Sequence, residues 1–137
     1  MTSPAQTELL AARVDREQAE RVAAWARDAR ARSVALIADL DEEQLWGKQL
    51  PYVQPPKWEA AHAAWFVENR VLERALGEPP FLPNGHTLYD STTIPSRVRW
   101  DLPLPDRAGT LAYMWSVGQV VHDHILAASE RVRYYAL

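Results

Sequence analysis

Pro55-Pro56-Lys57-Trp58-Glu59-Ala60-Ala61-His62-Ala63-Ala64-Trp65-Phe66 decides how the chain is read, because it marks a helix start and sets a histidine among aromatic residues. Pro56 suits the first helical position, where no amide hydrogen bond is lost. From there Trp58, His62, Trp65, Phe66, Asn69, Leu72 and Leu76 recur with the 3.6-residue period, so the spacing predicts one helix to about Leu76, stopped by Gly77. His62 falls on the stripe that should face a core. An imidazole there is either satisfied by a hydrogen bond to a neighbouring helix or held as a metal ligand. The segment by itself leaves both readings open.

Upstream, Val22, Trp25, Ala26, Ala29, Ser33, Leu36, Ile37 and Leu40 recur at three- and four-residue steps, predicting a long amphipathic helix from about Thr7 to Leu40. Arginines from Arg13 to Arg32 alternate with Asp15, Glu17, Glu20 and Asp28 on its other faces, as suits an ion-paired, solvated surface. Asp41 with Gln44 reads as a capping box for a short turn through Trp46 that ends at Gly47. Downstream, Glu78 to Pro105 carries six prolines and no sustained period, yet Tyr89, Ile94, Val98, Trp100, Leu102 and Leu104 give it apolar surface to pack. Asp106 is the expected N-cap of a third helix with Leu111, Met114, Trp115, Gly118, Val121, Ile125 and Val132 inward, breaking near Ser129.

Three long amphipathic helices leave a groove that a fourth normally fills. The expected fold is therefore all-α, a four-helix bundle in one domain over 1–137. Its fourth helix is largely missing, and a long proline-rich crossover joins its second and third helices. The chain ends where the fourth helix is expected to begin.

Composition narrows the function. At 137 residues and 47% hydrophobic content, one core is the default. With no cysteine, thiolate metal sites and cysteine nucleophiles are excluded, so any metal must be held by imidazole or carboxylate. Net charge is −3 from 15 basic and 18 acidic residues that are interleaved, which makes nucleic acid a poor partner. No apolar run is long enough for a membrane span and no signal-peptide pattern opens the chain, so the expectation is a cytoplasmic protein with no membrane partner.

The other histidines do not spell out a site. His122 and His124 project about 200° apart on a helix and cannot grip one ion together. A site of His62, His86 and His122 is conceivable, but no spacing requires it. Glu59 lies one step off the inward stripe, Asp123 faces outward, and no nucleophilic serine motif or glycine-rich phosphate loop is present. Of six tryptophans, Trp25, Trp58, Trp65 and Trp115 sit at core spacings, leaving Trp46 and Trp100 near loops, so packing accounts for them better than an aromatic cage.

Two segments in order carry a resemblance. The first is Pro55 to Glu68. The second is Leu88-Tyr89-Asp90-Ser91 through Arg97-Val98-Arg99-Trp100-Asp101-Leu102-Pro103-Leu104-Pro105, followed by Thr110-Leu111-Ala112-Tyr113-Met114. Together they resemble the N-terminal DinB-like helical domain of the ergothioneine-biosynthesis sulfoxide synthases and the selenoneine synthases, over nearly all of the chain from about Arg30.

The resemblance implies an oxygen-dependent joining of a sulfur or selenium donor to the imidazole ring of a histidine betaine, at one non-haem iron(II) held by three histidines. His62 corresponds to the first. The other two form a His-x-x-x-His pair on the fourth helix, which this sequence lacks, as it lacks the C-terminal partner domain of formylglycine-generating-enzyme type. Arg97 and Arg99 are the candidates for meeting the carboxylates of the small-molecule donor; alternatively they cap the bundle or pair with Asp90 and Asp101. Three neutral imidazoles suit iron(II) because they leave its charge intact and coordination positions open. One imidazole cannot do this, so the chain alone is expected to be catalytically silent. Two other readings stand beside this one: a DinB-type metal-dependent thiol transferase, which would need the same missing pair, and a non-catalytic helical interaction module.

Overall fold

The computed structural model describes residues 16–135, with side chains through residue 128; the start of the first predicted helix and Val132's side chain lie outside that range. The described chain is helical with no strand. Helix α1 is Arg16–Ala35, α2 is Glu42–Trp46, and α3 is Pro56–Val67, continued by a π-helical segment, Glu68–Ala75. Helix α4 is Gly85–Tyr89, a 3-10 helix spans Ser96–Asp101, and α5 is Arg107–Tyr135. Helix α5 packs between α1 and α3, which do not close on each other.

The punctuation follows the sequence. Asp41 accepts from the Gln44 amide while the Gln44 side chain accepts from the Asp41 amide, the reciprocal pair of a capping box. Asp106 Oδ1 accepts from Gly109 N at 2.8 Å, three residues in, and so caps α5. Gly77, at φ 71°, takes the left-handed turn that ends the π segment, with Glu78 N donating back to Leu72 O at 2.8 Å. On α1, the pairs Arg16–Glu20, Arg21–Glu17 and Arg32–Asp28 make the ion-paired outer face.

Three expectations are corrected. Helix α1 ends at Ala35, with a turn over 36–39, and not at Leu40. Its buried residues are Ala19, Ala23 and Val34; of the predicted stripe Ile37, in the turn that follows, is buried, whereas Val22, Trp25 and Leu36 are exposed. Small alanines let α1 lie close to α5, so the inward face turns toward them and leaves the bulkier stripe outside. Similarly α3 buries Trp58, Ala61 and Trp65 but leaves Phe66 and Leu76 exposed, and Trp115 of α5 is exposed while Tyr113, Met114 and Val117 are buried. Finally, the helical backbone of α5 continues through Ser129 to Tyr135 without a break; serine carries only a small helical penalty and no residue there removes a backbone donor.

Two clusters make the core. Trp58, Ala61, Trp65, Leu72, Leu88, Tyr89, Tyr113 and Val117 join α3, α4 and α5, and Val34, Ile37, Leu45 and Met114 join α1, α2 and α5. Glu42 ties the second region together: it pairs with the buried Lys57 Nζ at 2.8 Å and accepts from the Arg107 amide at 2.7 Å. Lys57 also lies 4.8 Å over the Trp46 ring.

Between α1 and α3, over α5, runs an open groove of about 300 Å³, walled by Ala26, Ala29, Ala60, Ala64 and Val117 and crossed by Arg30. The Arg30 guanidinium lies on Gly118, where an added Cβ would fall 1.4 Å from Cζ. That atom is the end of a flexible side chain, so Gly118→Ala is expected to displace Arg30 and keep the helix, gaining up to about 1 kcal/mol from removing a mid-helix glycine. Urea unfolding of the variant checks this; a loss above about 1 kcal/mol would show that Arg30 is fixed in place.

Candidate functional site

His62 lies at the edge of the buried face of α3, half-buried, and not on the core stripe itself. Trp58 and Trp65, one helical turn to either side, hold its ring: the centroids are 4.6 Å and 5.9 Å away, with interplanar angles of 9° and 23°. His62 Nδ1 lies 2.7 Å from Tyr89 O. A carbonyl only accepts, so the proton of the neutral ring is on Nδ1. Nε2 then carries the lone pair, and it has no hydrogen-bond partner among the described residues.

Helix α4 explains why the carbonyl is there. A helix of five residues leaves its last carbonyls unpaired. Trp58 Nε1 donates to Leu88 O at 2.7 Å and His62 Nδ1 donates to Tyr89 O, so two side chains of α3 cap α4 from outside. Tyr89 is buried and its ring stacks on Tyr113, with centroids 6.0 Å apart and planes 10° apart; burial pushes its hydroxyl up to about 12. The Tyr113 hydroxyl donates to the buried Glu68 carboxylate, which also accepts from Phe81 N. Burial, and then the bond to Glu68, raises the Tyr113 pKa well above its ordinary value.

The other three histidines are differently committed. Arg27 Nη2 donates to His122 Nε2 at 2.9 Å and His122 Nδ1 faces Asp123 at 3.1 Å, so both of its nitrogens are spent. His124 Nε2 pairs with Glu78 at 3.1 Å and His86 Nε2 with Glu73 at 3.2 Å. His86 meets the edge of Trp65 at 5.5 Å, which brings it near His62, but no three His, Asp or Glu side chains converge as a metal set among the described residues. In the same column the Trp65 Nε1–H is buried and finds no acceptor among those residues.

The two candidate arginines do not converge. Residues two apart on a 3-10 helix project about 240° apart. Arg99 is buried, its Cζ 3.8 Å from the Trp58 ring centroid, and donates from Nε and Nη2 to Ile94 O at 3.2 and 2.9 Å. Burial lowers its pKa and the charge of Glu59 opposes that, and among the described residues it forms no ion pair with Asp90 or Asp101. The Asp90 carboxylate instead holds the Thr92 hydroxyl and amide, which keep it below the usual carboxylate range. Arg97 is exposed and lines a separate pocket of about 310 Å³ with Gln49, Leu50, Pro51, Ser96 and Trp100. Trp100 Nε1 and Gln49 Nε2, donating to Trp46 O and Arg97 O, close that end of the molecule.

Sequence reading missed Glu68 and Tyr113. Glu68 follows Trp58, Ala61 and Trp65 at helical steps, so a carboxylate at an inward position was the available signal.

No family model matches the chain, and no curated protein matches it. Among the described residues no helix is long and apolar enough to cross a membrane.

Proposed function

We propose that this chain is the metal-ligand-bearing, DinB-like helical domain of an iron(II)- and oxygen-dependent synthase that forms a C–S or C–Se bond, inactive by itself. The observation that carries the reading is the state of His62: its Nδ1 proton is spent on a backbone carbonyl, two indoles fix its plane, and its Nε2 lone pair is open. This is how a metal-ligating imidazole is held from behind. The iron would supply the coordination positions at which oxygen and the sulfur or selenium donor meet. His62 is one ligand of the set, and the remaining imidazoles and a C-terminal formylglycine-generating-enzyme-like domain would come from outside the 137 residues.

Arg99 is better placed than Arg97 for a substrate carboxylate. It lies against the same indole as His62 and its Nη1 is not engaged by Ile94, so an anion bound there would be separated from the imidazole by the Trp58 ring. Its packing on Trp58 means that replacing it by lysine would lose both the flat contact and the fork of donors.

A second reading, a helical interaction module, is favoured by the alanine-walled groove with exposed Val22 and Trp25 on α1. Anaerobic calorimetric titration with iron(II) separates the two. The proposal expects weak binding whose heat disappears in His62→Ala. Binding unchanged by His62→Ala would overturn it, and tight binding lost in the variant would show that no ligands from elsewhere are needed.

A further inference from the structure

We infer that Tyr113, held by the buried carboxylate of Glu68, is a positioning residue that sets which nitrogen of His62 is free. The inference rests on the proposed role of His62 for its purpose, but it concerns the imidazole itself and is tested without metal. In water a neutral imidazole side chain prefers its proton on Nε2; here the Tyr89 carbonyl, 2.7 Å from Nδ1, reverses that preference. The position of this carbonyl therefore decides the tautomer.

Two anchors fix it. Trp58 Nε1 holds the preceding carbonyl, that of Leu88, at 2.7 Å. The other anchor is the Tyr89 side chain, which is buried and stacked on Tyr113. The Tyr113 ring is in turn held at its far end by Glu68, a carboxylate only 1% exposed. Glu68 leaves α3 at the first residue of the π-helical segment, where the changed pitch puts Glu68, Asn69 and Leu72 together on the buried side. Its second oxygen takes the Phe81 amide, so the same carboxylate also holds the chain that leads into α4. A buried carboxylate with two donors is costly to leave half-satisfied, so the Tyr113 ring has one stable place and Tyr89 one surface to stack on. The line from Glu68 through Tyr113 and Tyr89 to His62 thus couples a π-helical turn to the lone pair on Nε2.

The experiment is imidazole ¹⁵N NMR of the metal-free chain at neutral pH, with Tyr113→Phe, Glu68→Gln and a control, Val34→Ala, in the other core cluster. The wild type is expected to hold His62 as the Nδ1–H tautomer. Tyr113→Phe keeps the ring and removes the hydroxyl, and the ratio of Nδ1–H to Nε2–H is expected to fall by roughly fivefold or more, the scale of one lost hydrogen bond. Glu68→Gln should move the ratio in the same direction by less, since the amide oxygen can still accept one bond; it also serves if Tyr113→Phe fails to fold. Val34→Ala should lower stability and leave the ratio unchanged. An unchanged ratio in the folded Tyr113 or Glu68 variant, or an equal change in Val34→Ala, would overturn the inference. Failure of iron(II) to bind at His62 would overturn the functional proposal and leave this result standing.

Discussion

Trp58→Ala is expected to lower the unfolding free energy by about 3–5 kcal/mol, the range for deleting a buried aromatic side chain. Trp58 is 1% exposed and makes three connections at once. Its ring carries the Arg99 guanidinium at 3.8 Å and the His62 imidazole at 4.6 Å, and its Nε1 caps Leu88 O. Alanine removes all three and opens a cavity between α3, α4 and the 3-10 helix. A domain of this size is typically stable by about 5–15 kcal/mol, so the variant should unfold at markedly lower urea with a similar slope. Trp58→Phe should keep much of the packing and lose mainly the bond to Leu88 O, costing about 1–2 kcal/mol beyond the volume change. A loss under about 1 kcal/mol for the alanine variant would mean that α4 and the crossover are held by other contacts.

The second large effect is an asymmetry at the Lys57–Glu42 pair. Lys57 is 2% exposed whereas the Glu42 side chain is 51% exposed. Glu42→Ala strands a buried ammonium and frees the Arg107 amide, and is expected to cost about 2–3 kcal/mol, below the 3–5 of a fully buried pair because water reaches one partner. Lys57→Met leaves only a half-exposed carboxylate and keeps the stem against Trp46, so it should cost under about 1 kcal/mol. The bonds from Lys57 and the Arg107 amide hold the Glu42 pKa below its usual 4.5. A depressed carboxylate stabilises the fold at pH above its unfolded value and loses that contribution as pH falls through its folded value. Wild-type stability should therefore fall on acidification below about pH 4.5, and Glu42→Ala should flatten that part of the curve. Equal losses in Glu42→Ala and Lys57→Met would contradict the asymmetry.

The limits of the helices were legible in local chemistry. Asp41 with Gln44, Pro56, Gly77 and Asp106 each act within a few residues, and each does in the structure what its sequence position implies. The phase of the helices was not legible to the same degree. The predicted stripe put Val22, Trp25 and Leu36 inside with Ala26, Ala29 and Ser33, but the buried positions of α1 are Ala19, Ala23 and Val34. Small residues carry little hydrophobic signal even when they set the distance between helices. Helix α4 was hidden for another reason: its C-terminal carbonyls are capped by Trp58 and His62, about 30 residues upstream, so no local pattern announces that end.

The same distinction applies to the site. His62 was read as a polar residue on the inward stripe of a helix, whereas it lies at the edge of the buried face, and which of its nitrogens is committed depends on a carbonyl brought in by the crossover. The expectation that a fourth helix would fill a groove beside three others meets a specific geometry here. The groove face of α3, Ala60, Ala63, Ala64 and Val67, is centred about 150° around the helix from His62. A helix seated in that groove would not approach the imidazole, so the groove and His62 are separate surfaces. Because Nδ1 faces the Tyr89 carbonyl of α4, Nε2 points away from that carbonyl, and further ligands for His62 would have to reach it there.

The most direct test of the central claim, that His62 presents an open Nε2 to a metal, is to locate the metal. Cobalt(II), a paramagnetic stand-in for iron(II), added stepwise to the ¹⁵N-labelled chain, should first broaden or shift the ring signals of His62 and the indole signals of Trp58 and Trp65, and this should vanish in His62→Ala. Effects centred on His86, His122 or His124 with His62 unmoved would contradict it.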